Sequence, residues 1–270
     1  MYRRNFLRIT QYTMASALAA GCSIGGKSVT AETAHRPWPM PETRWAMSMR
    51  WHDLLFLHWP VHPKLIRPLI PREIDLDAFD GQCWIGIVPF HMSGVRLRYV
   101  PISLAFAELN VRTYVKIQDR PGVWFFSLDA SSWLAVRAAR CMNLPYYDAE
   151  MKVEGQGAEV KYRSARIHGQ PAAEFEANYR QNGGVYHAAP GTLDHWLTER
   201  YRLYAAFKPE PLVYGDIHHR QWPLQTAEVE VRVNTMTRPI GVELPDTSPL
   251  CHFACYQEVV AWPVVKLNQL

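Results

Sequence analysis

The sequence predicts an α+β fold, with one large, mostly antiparallel sheet or barrel and two or three helices covering part of it. Roughly ten strand-like runs follow one another without the regular strand–helix alternation of a parallel sheet. The 270 residues are 48% hydrophobic and 12% aromatic, with ten Trp, a composition typical of a β-rich domain with bulky interior layers. We therefore expect a single domain over residues 42–270.

Cap and breaker residues define the helices of this domain. Pro63 opens a short helix that Pro68 breaks. Ser131 or Ser132 caps a second helix, whose apolar residues lie on one stripe. Thr192 begins a third, in which Leu and aromatic residues recur at helical spacing. The predicted helices cover residues 63–70, 132–142 and 192–206.

Turn signals separate the strands. Asp80 and Gly81 mark a hairpin between two short apolar runs, and the sequence DRPG at 119–122 marks a turn between two longer ones. The predicted strands cover residues 74–79, 83–88, 104–117, 123–129, 147–154, 158–167, 173–180, 212–218, 225–235 and 253–265.

The run over residues 106–115 carries an unusual polar row. Successive side chains of a strand point to opposite faces, so this run has one apolar face and one polar face. The polar face carries Glu108, Asn110, Arg112 and Tyr114. Such groups within apolar sequence predict a semi-enclosed cavity, with Glu108 as acid or base and the other three as ligand contacts. If buried, Glu108 and Arg112 should pair with each other, or with water and ligand. The alternative is a solvated face with a local Glu–Arg pair.

Two further runs supply candidate site residues. Tyr162, Ser164 and Arg166 form a second polar row, of which Arg166 is a candidate ligand contact, although a solvated edge strand fits equally well. His218 and His219 point to opposite faces of a strand and could not easily share one metal ion. We expect one of them to face the cavity as a proton-transfer or hydrogen-bonding group. The alternative is one packed and one exposed histidine. The sequence predicts no metal site and no cofactor.

Charge and motif content narrow the classes of function. The formal net charge is +4, and three of the arginines lie within the first eight residues. No basic stripe is interleaved with exposed aromatic residues, so a nucleic-acid partner is not expected. No phosphate loop, dinucleotide fingerprint or Gly-x-Ser-x-Gly motif occurs, which removes the usual support for nucleotide enzymes and hydrolases. The oligomeric state is not defined by the sequence.

The first 22 residues resemble an export signal. Arg3 and Arg4 precede a weakly apolar stretch, as in twin-arginine leaders. Cys22 closes a lipobox-like sequence and is a possible lipidation site, which would give the protein its only predicted link to a membrane. We expect residues 23–41 to form a flexible tether.

Two alternatives to this reading of the leader remain. Cleavage near Ala31 would release a soluble exported product. A wrongly assigned start would instead leave the protein in the cytoplasm.

Four other cysteines follow the leader: Cys83, Cys141, Cys251 and Cys255. In an oxidising compartment they permit three pairings, among which the sequence does not choose. Buried thiols that act as small core residues are the alternative.

With these runs laid out, the chain resembles the YqjF-like family of domains of unknown function, in the acetoacetate decarboxylase-like superfamily. The resemblance extends from about Trp51 to the C-terminus. It rests on LFLHWP (55–60), FDG (79–81), WIGIVPF (84–90), ELNVRTYV (108–115), GVWFFSLDA (122–130), LPY (144–146), PG (190–191), ERY (199–201), HH (218–219) and WPLQ (222–225). It implies a curled sheet or barrel around a ligand cavity, with a few packed helices.

The resemblance also bears on the chemistry. Decarboxylases of the superfamily form a Schiff base through a lysine in a Gly-x-Pro-Lys-Lys segment, and a neighbouring cation lowers the pKa of that lysine. The matching segment here keeps Pro145 but has Tyr146 and Tyr147 at the lysine positions. Lys152 and Lys161 are the nearest alternatives and lack such a neighbour. The resemblance therefore implies a protein that is not a Schiff-base decarboxylase, with Glu108 as a surviving site carboxylate.

Two functions remain. The first is a non-catalytic pocket for a small molecule that carries a carbonyl or carboxylate group. The second is an enzyme on such a compound, with Glu108 as acid or base and Arg112 as carboxylate clamp, a task suited to the planar guanidinium.

Overall fold

The computed structural model describes residues 28–157, 159–208 and 211–267. The predicted export signal over residues 1–22 and the lipidation candidate Cys22 lie outside the described residues.

Within these ranges the elements are mostly strands, and all thirteen strands belong to one sheet. The strands are β1 (Met47–Val61), β2 (Asp75–Leu76), β3 (Cys83–Leu97), β4 (Leu104–Ile117), β5 (Arg120–Ala130), β6 (Tyr146–Gln156), β7 (Glu159–Arg166), β8 (Glu174–Tyr186), β9 (Arg202–Ala205), β10 (Val213–His219), β11 (Leu224–Asn234), β12 (Leu250–Ala261) and β13 (Val265–Lys266). The helices are α1 (Pro63–Ile66), α2 (Trp133–Cys141) and α3 (Leu193–Thr198).

The sheet curls until it closes on itself. Its order is β13-β10-β9-β5-β6-β7-β8-β11-β12-β1-β3-β4-β2, with additional pairings between β4 and β5 and between β10 and β12. These two pairings complete a ring of seven strands, β5-β4-β3-β1-β12-β10-β9. Only the contacts of β5 with β6 and with β9 are parallel. The predicted curled, mostly antiparallel α+β sheet is therefore confirmed.

The main apolar core lies on the outer face of this ring, under β7 and β8. Leu109 and Val111 of β4 pack there with Tyr162, Phe175 and other buried side chains. The residues that alternate with them on β4 point to the inside of the ring. The period-two pattern of the sequence thus separates the two faces of β4 as expected.

The helix expected over residues 192–206 is wrong in its second half. Thr192 caps α3 through its side chain as predicted, but α3 ends at Thr198. Residues 202–205 instead form β9, which pairs with β5 and β10. Tyr201 and Tyr204 are fully buried. They recur at helical spacing because both are buried between layers, not because they share one face of a helix.

The turn at Asp80 and Gly81 forms as expected, but between different strands. Both residues have positive φ, and Phe79 and Gln82 exchange backbone hydrogen bonds across the turn. The preceding strand is only two residues long and pairs with β4 instead of β3. The long strand β1, which precedes the turn, was not predicted.

Residues 28–41 are packed on the ring, so the prediction of a flexible tether is wrong for this segment. Val29 is buried with Val260 and Trp262. Arg36 donates to the carbonyl of Ile217 at 2.8 Å, and its guanidinium lies 4.6 Å from the ring of Tyr201. We call residues 28–45 the strap.

The four described cysteines form no disulfide with one another, and Cys83 is buried. Among the described residues no group of acidic, His and Cys side chains has the geometry of a metal site. No described helix is long and apolar enough to cross a membrane.

Candidate functional site: a cavity inside the strand ring

A cavity of about 180 Å³ lies inside the seven-strand ring. Its walls come from every strand of the ring and from residues 262–264. Most are apolar, and the aromatic ones pack together: the ring centroids of Trp51 and Phe90 are 5.3 Å apart and those of Phe56 and Trp222 are 5.1 Å apart. The polar lining residues are Glu108, Asn110, Arg112, Tyr146, Thr198, Arg200, Arg202, Asp216 and His219.

Three members of the predicted polar row line this cavity, namely Glu108, Asn110 and Arg112. The fourth, Tyr114, is buried behind the wall and is not a ligand contact. Its hydroxyl donates to the carbonyl of Leu197 at 2.9 Å and lies 2.7 Å from Nε2 of His58. Tyr114 therefore holds the end of α3 against β1 instead of facing a ligand.

Glu108 occupies an unusual environment for a carboxyl group. It is 3% exposed, and its one hydrogen-bond partner among the described residues is the hydroxyl of Tyr146, which donates to Oε2 at 2.7 Å. Burial raises the pKa of Glu108 to about 8, although the Tyr146 hydrogen bond acts in the opposite direction. A carboxyl group with this pKa is mostly protonated at neutral pH and can donate or accept a proton.

Arg112 does not pair with Glu108, whose carboxyl group is bonded to Tyr146, so of the two expected arrangements the direct ion pair does not form and pairing with water or ligand stays a prediction. Nε and Nη2 of Arg112 are buried and have no hydrogen-bond partner among the described residues. The guanidinium carbon lies 5.3 Å from the ring centroid of Phe56. Because Glu108 is engaged by Tyr146 and uncharged, the two ends of the row are chemically different: one is a neutral acid, the other an unpaired cation.

Two more unsatisfied polar atoms line the cavity. Oδ1 of Asn110 and Nη2 of Arg200 are buried without a hydrogen-bond partner among the described residues. Arg200 is held in place by its Nη1, which donates to Asp77 at 2.6 Å. Buried polar groups are normally satisfied, so Asn110, Arg112 and Arg200 together mark a place where a polar ligand group fits.

Arg166 is not a ligand contact, in contrast to the prediction. It lies outside the cavity wall and forms a two-pronged ion pair with Asp129, at 2.9 Å from Nε and 2.7 Å from Nη2. Asp129 is fully buried. The second polar row therefore includes a structural pair instead of a binding group.

His218 and His219 point to opposite faces of β10, as adjacent residues of a strand must. His219 lines the cavity, but its Nδ1 and Nε2 lie 2.7 and 3.3 Å from the backbone carbonyls of Arg220 and Arg200. His218 lies under the strap, where its Nε2 is 2.9 Å from the carbonyl of Val29. Burial lowers the pKa of both imidazoles, to about 4 for His218.

Sequence reasoning missed five polar residues of the cavity, namely Tyr146, Thr198, Arg200, Arg202 and Asp216. Tyr146 was noticed only as a replacement for lysine, and its contact with Glu108 was not foreseen. Arg200 was placed inside a helix, although the sequence ERY was part of the resemblance. Thr198, Arg200 and Arg202 do alternate, as the row on β4 does, but this segment was predicted to be helical.

Solved structures with the same fold place the chain in the acetoacetate decarboxylase-like class. The enduracididine biosynthesis enzyme MppR complexed with pyruvate aligns with a TM-score of 0.59 and 11% identity, covering 84% of this chain and 92% of that one. An acetoacetate decarboxylase-like enzyme from Sphingomonas wittichii RW1 aligns with a TM-score of 0.54 and 13% identity, covering 83% and 94%. At these identities the likeness establishes the fold alone.

Within that class the chain belongs to the DUF2071 family, described as an uncharacterized conserved protein, whose model matches residues 48–258. The uncharacterized protein YqjF of Bacillus subtilis (strain 168) is 46% identical over 231 residues, which are 84% of this chain and 95% of that protein. These matches confirm the YqjF-like resemblance.

Proposed function

We propose that this protein binds, in the cavity of the strand ring, a small and largely apolar molecule that carries a carboxylate or carbonyl group. The observation that carries this proposal is the half-buried side chain of Arg112, whose Nε and Nη2 are buried without a hydrogen-bond partner among the described residues, in an apolar cavity. Leaving such buried donors unsatisfied costs about 1–3 kcal/mol. A ligand carboxylate would remove that cost.

The geometry of the cationic end suits an oxyanion. Arg112 offers Nε and Nη2, the pair of donors that a carboxylate accepts in a two-pronged hydrogen bond. Arg200 contributes a second unpartnered nitrogen to the same cavity. Asp77 balances the charge of Arg200, whereas Arg112 has no acidic partner among the described residues, which favours a carboxylate over a neutral carbonyl at this end.

The rest of the cavity suits an apolar body. Trp51, Phe90, Phe56 and Trp222 form a continuous aromatic wall, and Met and Leu side chains complete it. Apolar walls with a few placed polar groups are the usual form of a small-molecule site. The structural relative MppR, complexed with pyruvate, binds a small carboxylate on the same fold, which supports this class of ligand.

One observation favours a second function, in which the protein is an enzyme that acts on the same class of compound. Glu108 has a pKa of about 8 and is hydrogen-bonded to Tyr146, at the place where the decarboxylases of the fold class are expected to have their lysine. No lysine is among the residues that line the cavity. Such an enzyme would therefore use proton transfer by Glu108 instead of a covalent imine.

Native mass spectrometry of the purified full chain tests the binding proposal. We expect a retained small molecule with a carboxylate or carbonyl group in the wild type and its loss in Arg112→Met. Arg163→Met is the matched control, because Arg163 is exposed on β7, and it should retain the molecule. Retention that is equal in both variants would overturn the proposal.

The fate of the molecule separates the two functions. A ligand recovered unchanged after prolonged incubation with the protein indicates binding. A chemically altered ligand, together with an unaltered one in Glu108→Gln, indicates catalysis by Glu108.

A further inference from the structure

An exposed apolar surface lies at the mouth of the cavity. Tyr99 is 81% exposed, Trp133 69% and Ile102 68%, with Leu97 and Leu134 also largely exposed. We call these five residues the mouth patch. Isolated exposed apolar residues are common, but several large ones at one place usually mark an interaction surface.

The two segments of the mouth patch lie at the same end of the molecule. Leu97, at the end of β3, and Met142, directly after α2, both line the cavity. Val95 and Leu104, on either side of the β3–β4 connection, belong to the same apolar cluster as Val136 of α2. Ser131, two residues before Trp133, exchanges hydrogen bonds with Ala107 near the start of β4, so both segments lie at the end of the ring where Leu97 lines the cavity.

The β3–β4 connection is held in place by the strap. The backbone N–H of Arg98 donates to the carbonyl of Ala46 at 2.7 Å, and its guanidinium lies 4.2 Å from the ring centroid of Trp45. Arg44 donates to the hydroxyl of Tyr99 at 3.1 Å. The apolar side chains thus project from a supported loop.

Basic residues outnumber acidic ones around the mouth patch. Residues 91–107 contain Arg96 and Arg98 and no acidic residue, and residues 130–147 contain Arg137 and Arg140 and no acidic residue. Arg137 is paired with Asp148, outside both segments. The surface is therefore apolar at its centre and basic at its margin.

A polar depression adjoins the base of the loop. It has a volume of about 360 Å³ and is lined by Arg50, Arg96, Gly94 and three serines, Ser28, Ser48 and Ser103. The hydroxyl of Ser48 accepts from Nε of Arg96 at 3.3 Å, which leaves the other two hydroxyls. Glu258 also lines it but lies 3.5 Å from Arg220. Two arginines and two hydroxyls beside an apolar surface are the groups that bind a phosphate headgroup next to acyl chains.

We propose that the mouth patch docks on an anionic lipid surface, with a phospholipid headgroup in the Arg50–Arg96 depression and the cavity mouth facing the lipid. Tyr and Trp are typical of membrane interfaces, and arginines beside them add attraction to anionic lipids. A second copy of this chain fits the surface less well, because two-fold pairing would place the arginines of one patch against those of the other. The inference goes beyond the proposed ligand binding and does not depend on the leader.

Vesicle co-sedimentation of the full chain tests this inference. We expect binding to vesicles of phosphatidylcholine with phosphatidylglycerol and much weaker binding to phosphatidylcholine alone. The triple variant Tyr99→Ser, Ile102→Ser, Trp133→Ser should lower the partition coefficient by at least about tenfold. The matched control is Leu65→Ser, Ile167→Ser, Val185→Ser, which changes three exposed apolar residues elsewhere and should bind as the wild type does.

Three results would overturn the proposal. The first is equal binding by the two triple variants. The second is release of the wild type by inorganic phosphate matched to the lipid phosphate, which would indicate a free-anion site. The third is a vesicle-free dimer, seen by sedimentation velocity, that only the patch variant dissociates, which would indicate a self-association surface.

Discussion

Glu108 and Arg112 lie four residues apart on the same face of β4, yet their surroundings give them opposite charge states. Burial beside Tyr146 keeps Glu108 protonated at neutral pH. Arg112 is a cation and has no acidic partner among the described residues. The cavity thus has a net positive polar surface without a ligand, which is why we expect an anion there.

The raised pKa of Glu108 predicts a specific pH dependence of stability. The unfolded carboxyl titrates near 4.5 and the folded one near 8, so between these pH values the folded state alone keeps the proton. Raising the pH through this window therefore removes stability, by up to about 1.4 kcal/mol per pH unit. Glu108→Gln, which cannot titrate, should lack this contribution.

Urea unfolding of the wild type and Glu108→Gln across this window measures the effect. The wild-type free energy of unfolding, minus that of the variant, should fall steadily as the pH rises and level off above about pH 8. A pH-independent difference would mean that Glu108 titrates normally and is not a buried acid.

Arg112→Met should leave the free energy of unfolding unchanged or raise it by about 1 kcal/mol, because it removes an unpaired, half-buried cation and keeps an apolar side chain. A buried Glu108–Arg112 ion pair would instead have predicted a large loss of stability in this variant. Arg163→Met, at an exposed position, is the control and should change stability by less than about 0.5 kcal/mol. A loss of several kcal/mol in Arg112→Met alone would show that Arg112 has a structural partner.

For single residues, the sequence predicted which face of a strand a side chain occupies better than which residue that side chain pairs with. Period-two alternation correctly placed Glu108, Asn110 and Arg112 on the cavity side of β4, because a strand leaves no other arrangement. It could not show that Asp129 pairs with Arg166, since these residues are distant in sequence. The roles of the residues in binding or catalysis stay predictions.

Among the elements, the Arg166–Asp129 pair links β7 to β5 across β6. The pair is almost fully buried, and Asp129 lies where β5 leaves β4 to pair with β6. Arg166→Met would leave Asp129 buried without its cation, at a cost of about 3–5 kcal/mol. Urea unfolding measures this cost.

Arg180→Met provides the comparison for this pair. Arg180 and Glu228 form an equally close ion pair between β8 and β11, but both side chains are exposed. Its loss should cost less than about 1 kcal/mol. Equal costs for the two variants would contradict the claim that burial, and not contact alone, sets the strength of the link.

Elements with a clear local signal were predicted well, and those defined by distant contacts were not. The helix near 132–142 was correct because Ser132 caps it through its side chain. The helix over 192–206 was too long because Tyr201 and Tyr204 are buried at helical spacing by chance, on and beside a short strand that only β5 and β10 define. Local periodicity cannot distinguish these cases.

For the whole molecule, ring closure was beyond sequence reasoning. The pairing of β4 with β5 is a hairpin across the turn that the sequence predicts near residue 119, but the pairing of β10 with β12, which also closes the sheet around the cavity, follows from no local pattern. The curled sheet itself was implied by the family resemblance. The cavity therefore depends on the whole fold, whereas polar residues that line it could be predicted from the pattern of a single strand.

The strap contributes to the stability of the closed ring. Arg36 is mostly buried, donates to the carbonyl of Ile217 and covers the ring of Tyr201. Arg36→Ala should lower the free energy of unfolding by about 2 kcal/mol, because it removes both packing and hydrogen bonds. Arg72→Ala, at an exposed position, should cost less than about 0.5 kcal/mol. If thermal and urea unfolding give the same small loss for both, the strap is not part of the folded core.

The central claim, that the strand ring encloses a carboxylate site, is tested most directly by titration calorimetry with aliphatic carboxylates from butanoate to decanoate, each paired with its neutral amide. We predict that the wild type binds at least one carboxylate about tenfold or more tightly than its amide, and that Arg112→Met loses this preference while Arg163→Met keeps it. Equal affinity for carboxylate and amide at every chain length, or a preference that survives in Arg112→Met, would contradict the account.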